Sequence, residues 1–152
     1  MSLVGKGVLT MDCLFCELIK NEKDPTLIHC FSNGAVYLNK NQFFYGRILY
    51  VLNEHWVDIS EIPPSVFSET SQHLHILSRI IKSSMKADLI NVASLGNHVP
   101  HMHWHIIPRY KNDSCWGNPP WPHGEAILPE DEFDNLKKRI KTAITSYTYR
   151  QN

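Results

Sequence analysis

An α+β fold with a mainly antiparallel sheet, one long helix and a C-terminal helix is what this 152-residue chain predicts, and three observations lead there. The first is alternation in "HVPHMHWHIIPRY", residues 98 to 110, where His101, His103 and His105 occupy every second position. On a helix the middle imidazole would point away from the other two. On a strand all three share one face, about 6.5 Å apart, and Met102, Trp104 and Ile106 form an apolar opposite face. The second is a change of period in "IPPSVFSETSQHLHILSRIIKSSMKA", where Phe67, Thr70, Leu74, Leu77, Ile81 and Met85 recur every three or four residues. The third is the order of the segments. Strands come in pairs around a single long helix, so only one crossover is evident and a doubly wound parallel sheet is not expected.

Each element has its own local cause. "DCLFCELIKN" reads as a short apolar turn of helix carrying Cys-x-x-Cys. "DPTLIHCFSNGAVYLNK" reads as two short strands around the turn Ser32-Asn33-Gly34. "GRILYVLNEHW" is β-rich from Arg47 to Leu52 and is ended by the polar pair Asn53 and Glu54. The long helix, residues 64 to 86, starts at Pro63, Pro64 and Ser65 and is expected to lay its Leu74 and Leu77 face on the sheet. "LINVASLGN" and the histidine strand follow as consecutive strands joined through Gly96 and Asn97. "KNDSCWGNPPWPHG" should be ordered loop. "PEDEFDNLKKRIKTAITSY" closes the chain as a helix with Phe133, Leu136, Ile140 and Ile144 on one face, its acidic start suiting the helix dipole.

Bulk composition narrows the function classes. Residues 11 to 152 are expected to form a single domain, with residues 1 to 10 a leader or an expression remnant. Hydrophobic residues make up 43% and charged residues 20%, which is ordinary for a globular protein. Fifteen basic residues balance 15 acidic ones, so no nucleic acid polymer is expected as partner. "MSLVGKGVLT" lacks a sustained apolar core and no run approaches about 18 apolar residues, so neither a signal peptide nor a membrane span is expected. The expected location is cytoplasmic, with Cys13, Cys16, Cys30 and Cys115 as thiols or metal ligands.

Three imidazoles on one strand face suggest metal ligation, or phosphate and proton chemistry. Cys13 and Cys16 have the spacing of a zinc half-site, with no second Cys-x-x-Cys to complete it, and two buried cysteines packing as small apolar residues is the alternative. His73 and His75, two residues apart on the long helix, read as solvated surface. Trp116 and Trp121 offer rings that stack on a base, or that serve as a lid over a helix. Cys30, Cys115, His29 and His123 fall in no interpretable arrangement.

The run "HMHWHII" resembles the signature of the histidine triad (HIT) superfamily, and the likeness extends on both sides. "CLFCELI" resembles the family's opening Cys-x-x-Cys segment, "AVYLNKNQFFYGRILYVLNEHW" its ribose-contacting strand and the strand after it, and "NVASLGNHVPHMHWHIIPRY" its catalytic strand pair. The resemblance spans roughly Cys13 to Trp121. There are two departures: Gly96-Asn97 stands where many members have Gly-Gln, and Asn39 where many have Asp. Both are similar to a bacterial diadenosine tetraphosphate hydrolase-like branch. His105, where the galactose-1-phosphate uridylyltransferase branch has Gln, favours the hydrolase side.

The resemblance implies a HIT-like fold and a nucleotide hydrolase or transferase. His103 attacks the α-phosphate of a nucleoside phosphate derivative (a dinucleoside polyphosphate, phosphoramidate or nucleotidyl sugar) and forms a nucleotidyl-histidine that water hydrolyses. His105 holds the phosphate or protonates the leaving group. Asn97 and His98 are implied to contact phosphate, and Asn39 a ribose hydroxyl. Asn91 stands near the nucleotide or only caps a strand end. It further implies a structural Zn²⁺ on Cys13, Cys16, His55 and His101, and a homodimer. A nucleotide-binding regulatory module with little turnover, and a zinc-dependent hydrolase using the triad as ligands, are the two competing readings.

Overall fold

The computed structural model of the protein describes residues 13–149; the leader expected at residues 1 to 10 lies outside them. Five antiparallel strands form one sheet: β1 (Leu27–Cys30), β2 (Gly34–Leu38), β3 (Ile48–Leu52), β4 (Leu89–Ala93) and β5 (His103–Arg109), in the order β1-β2-β3-β5-β4. A short helix α1 (Leu14–Lys20), a long helix α2 (Pro64–Met85) and a C-terminal helix α3 (Glu130–Tyr149) complete it. Among the described residues no helix is long and apolar enough to cross a membrane.

The period-2 pleat sorts the central strands into two faces. Val36, Leu38, Ile48, Tyr50, Leu52, Trp104 and Ile106 pack beneath α2 and α3, where they meet Leu77, Ile81, Leu136, Ile140 and Ile144. Ala35, Tyr37, Leu49 and Val51 point the other way and are covered by Phe15 and the two cysteines of α1. Both faces of β3 are therefore buried, which is why its sequence is a continuous apolar run. β5 lies between β3 and the edge strand β4, with His105 opposite Leu49 and His103 opposite Val51. This places the imidazoles on the α1 face and Trp104 and Ile106 on the helix-covered face.

α2 starts with Pro64 in its first turn, where the missing N–H costs nothing, and stops at Met85 because Lys86 takes a left-handed conformation, φ 53°. Leu77 is fully buried and Leu74 packs partly against the same core, as the period implies. Phe67 departs from the expected stripe: it is 39% exposed, and its neighbour Val66 packs against the core in its place. His73 corrects the solvated reading. It lies four residues before Leu77 on the buried stripe, accepts or donates at Nδ1 with Tyr50 Oη at 2.8 Å, and stacks on Phe31; only His75 is exposed. In the β1–β2 turn, Gly34 is needed for space, since a Cβ there would lie 2.6 Å from Tyr50 Cζ.

Candidate active site and metal centre

The three alternating histidines do not act as one set. β5 begins at His103, and His101 sits in a bend just before it, with its N–H bonded to Val99 O at 2.8 Å. The expected three-residue strand face is thus shortened to two. The reason lies far away in sequence: the His101 ring is drawn to the cysteines of α1. Its Nδ1 lies 3.4 Å from Cys13 Sγ and 3.5 Å from Cys16 Sγ, and Cys16 Sγ is 3.3 Å from His55 Nδ1.

These four donors fit a tetrahedral ion. Zn–S bonds of about 2.3 Å and Zn–N bonds of about 2.05 Å give sulfur–nitrogen edges of about 3.5 Å, against the 3.3–3.5 Å found here. All four donor atoms lie within 4.8 Å of one another. His101 Nε2 meets Leu52 O at 2.8 Å. A carbonyl only accepts, so Nε2 carries the proton and the Nδ1 lone pair faces the sulfurs, the tautomer that ligation requires. Cys13 caps α1 and Cys16 lies in its first turn, while His55 and His101 come from the loops after β3 and before β5. The cluster therefore has the donor set and geometry of a closed metal site.

Beside it opens a cleft of about 460 Å³ lined by His103, His105, Asn39, Asn97 and His98, with Arg47 and Trp121. A larger groove between α2 and α3, about 540 Å³, contains none of these side chains. His103 is buried under Phe15, their ring centroids 4.6 Å apart, and its Nδ1 lies 2.7 Å from His101 O. That nitrogen must donate, which leaves the Nε2 lone pair as the nucleophilic position. Burial lowers the His103 pKa below 6.5; the bond to the His101 carbonyl opposes this and the Arg47 charge adds to it. Asn39 follows β2 in the same phase as Tyr37, and its Oδ1 accepts the N–H of Asn41 at 2.9 Å. Asn97 and His98 stand exposed in the loop after β4.

Asn91 is not brought to the cleft. It shares the imidazole face but lies opposite Ile107, where Arg109 Nη1 donates to its Oδ1 at 2.8 Å. Arg109 is itself held by Asp113, 2.8 Å away. The substrate-contacting expectation for Asn91 is corrected on that ground. The two tryptophans part as well: Trp121 packs edge-on to His105 with centroids 5.0 Å apart, whereas Trp116 lies by Arg109 and Asn118.

Two residues of this region went unrecognised in the sequence. Arg47 is 5% exposed and donates through Nη2 to His105 Nδ1 at 3.0 Å and through Nη1 to His123 Nε2 at 2.8 Å. Its guanidinium lies over Trp121, 5.2 Å from the ring centre. Burial lowers its pKa to about 10, so it stays charged at neutral pH. The signal for Arg47 was present, because it precedes β3 in phase with Leu49 and Val51. His123 gave no local signal, since an irregular segment carries it back to the sheet.

The chain belongs to the HIT domain family, whose model matches residues 21–112, more than half its length. It is 28% identical over 120 residues to the adenylylsulfatase HINT3 of Arabidopsis thaliana, covering 76% of this chain and 61% of that protein. It is 39% identical over 72 residues to a bis(5'-adenosyl)-triphosphatase of Saccharomyces cerevisiae, covering 43% of this chain and 35% of that protein. The chain thus spans less than two thirds of either relative. Its fold is that of a Zn-bound histidine triad family protein from Mycobacterium smegmatis, with a TM-score of 0.72, 19% identity, and coverage of 92% of this chain and 98% of that one.

Proposed function

We propose that the protein is a nucleotide hydrolase or transferase acting at the α-phosphate of a nucleoside phosphate derivative through a nucleotidyl-histidine on His103. The observation that supports this reading is the His103 Nδ1 bond to the His101 carbonyl, which leaves the Nε2 lone pair available for attack on a cleft wall that also holds a buried cation. Attack forms the N–P bond as the leaving oxygen takes the P–O electron pair, and water then breaks the N–P bond. The Nδ1–H···O=C bond strengthens when the ring becomes cationic in the intermediate. Asn97 and His98 reach phosphate oxygens and Asn39 a ribose hydroxyl. The names of the plant and yeast relatives both denote cleavage at an adenylyl phosphate, and the diadenosine tetraphosphate hydrolase-like branch belongs to the same chemistry.

The competing zinc hydrolase reading, with three histidines on one ion, is disfavoured by the turn of His101 toward the cysteines. Zn²⁺ instead belongs on Cys13, Cys16, His55 and His101 in a structural role, in keeping with the Zn-bound neighbour. The regulatory-module reading is separated by experiment. Protein mixed with a nucleotide substrate radiolabelled at the α-phosphorus and quenched in base should carry an acid-labile label; a protein that binds the nucleotide without labelling or turnover overturns the enzyme reading.

The same proposal includes a homodimer. β4 is an edge strand that exposes Leu89 and Val92, and Leu95 follows them at 53% exposure. An unpaired apolar edge is a template for a second copy. Light scattering should give twice the chain mass at micromolar concentration, and a monomer mass removes the dimer. The proposal also places the protein in the cytoplasm, where the thiolates expected at Cys13 and Cys16 stay reduced.

A further inference from the structure

Arg47 is a buried cation with neutral partners. Among the described residues no carboxylate lies within ion-pair distance of it, and its Nε is buried without a hydrogen-bond partner. Its two terminal nitrogens are given to imidazoles, His105 Nδ1 and His123 Nε2. A guanidinium can only donate, so both ring nitrogens accept. His123 satisfies its other nitrogen by donating Nδ1–H to Gly124 O at 2.6 Å. His105 must then carry its single proton on Nε2, and a second proton on Nδ1 would collide with Arg47.

That geometry limits what His105 can do. A ring locked in this tautomer is a fixed hydrogen-bond donor; it has no second proton to hand to a leaving group and keep its pairing. The groups facing it are Arg47, His103 and His123, all neutral or positive, with Trp121 edge-on. Burial first, then Arg47 and the two histidines, press its pKa down to about 3, in agreement with the hydrogen-bond pattern. His98, the remaining titratable side chain among the described residues lining the cleft, stands exposed at the rim with no hydrogen bond to a described residue that would aim its ring at the leaving atom.

We propose, building on the hydrolase reading above, that the cleft selects nucleoside 5′-phosphates whose leaving group departs as a stable oxyanion, and that Arg47 is the residue that sets this selection. The class is phosphoric anhydrides and mixed phosphoric–sulfuric anhydrides. His103 Nε2 forms the N–P bond, the anhydride P–O bond breaks, and the electron pair leaves on a phosphate or sulfate oxygen that needs no proton. The buried guanidinium and the His105 Nε2–H meet the negative charge that develops there. In a phosphoramidate the departing nitrogen must take a proton as the P–N bond breaks, and this cleft has no placed acid to supply it. Positioned acids typically contribute about 10²–10⁴-fold, which sets the size of the discrimination.

The test compares adenosine 5′-phosphosulfate, diadenosine triphosphate and adenosine 5′-phosphoramidate on the full chain. We expect kcat/KM for the better anhydride to exceed that for the phosphoramidate by at least about 100-fold. Arg47→Met should shrink this ratio by about 10-fold or more, with anhydride turnover falling most, and Arg47→Lys should restore part of it. A readout independent of activity is the His105 ring itself. In isotope-labelled wild type, nitrogen shifts should show an Nε2–H tautomer that does not titrate between about pH 7 and 5, and in Arg47→Met the ring should titrate. If Arg47→Met fails to fold, the wild-type ratio and tautomer decide alone. Phosphoramidate turnover equal to that of the anhydrides, or a doubly protonated His105 at neutral pH, overturns this inference and leaves the hydrolase reading standing. Absence of turnover on all three probes, in protein that binds AMP, overturns both.

Discussion

Replacing His103 with Ala is expected to reduce turnover by roughly 10³-fold or more while leaving nucleotide affinity within a few-fold of wild type. The substitution removes the atom that bonds phosphorus in the transition state and little of what holds the ground-state nucleotide. On the proposed reading those contacts come from the cleft walls, which include Asn39, Asn97 and Arg47. His105→Ala should cost less, about 10²-fold, because it removes one hydrogen-bond donor and keeps the nucleophile. The order of the two losses is the informative result. If His105→Ala is the more damaging, or the acid-labile label survives His103→Ala, the covalent route is wrong.

The proposed nucleophile is expected to set the acid side of the pH profile. His103 must be neutral to attack, and burial holds its pKa below 6.5. A lowered pKa keeps the neutral form present to lower pH. The profile of kcat/KM should therefore stay level as pH falls through 6.5 and decline only beneath it. A decline centred above 6.5 would mean that the imidazole is stabilised as a cation, contrary to its surroundings of Phe15, the Arg47 charge and the sheet.

Much of this architecture was legible because it rests on period. The alternation around Trp104 and Ile106 and the three-to-four spacing through Leu77 and Ile81 are local consequences of burying one face, and both faces are found where the pattern puts them. The bend at His101 was not legible, because the cysteines that draw its ring lie 85 and 88 residues away. Asn91 misled for a related reason. It has the parity of the imidazole face, but position along the strand, set by the pairing with Ile107, gives it to Arg109. Arg47 is the opposite case. Its phase with Leu49 and Val51 was readable, although Arg47 was read only as the start of the β-rich run and given no role. His73 could also have been found, four residues before Leu77.

Removing metal is expected to produce the largest change in stability. The proposed ion joins the first turn of α1 to the loops before β5 and after β3. A ligand present at about 1,000 times its dissociation constant adds about 4 kcal/mol to the folded state. For a domain of this size each kcal/mol moves Tm by about 2–4 °C, so chelation should lower Tm by roughly 8–16 °C. Cys16→Ser should do the same without chelator, since a neutral hydroxyl is a poor substitute for a thiolate on zinc. The chemistry should respond later than the stability. His101 has both ring nitrogens committed, one to the sulfurs and one to Leu52 O, so it has none left for substrate. Below the melting range, stripped protein should retain most of its kcat, with its loss appearing only as α1 lifts Phe15 from His103. Loss of kcat in strict proportion to metal removed, from protein still folded, would assign the ion to the reaction. Protein purified without chelator that contains no stoichiometric zinc would leave the cluster as two thiols beside two imidazoles.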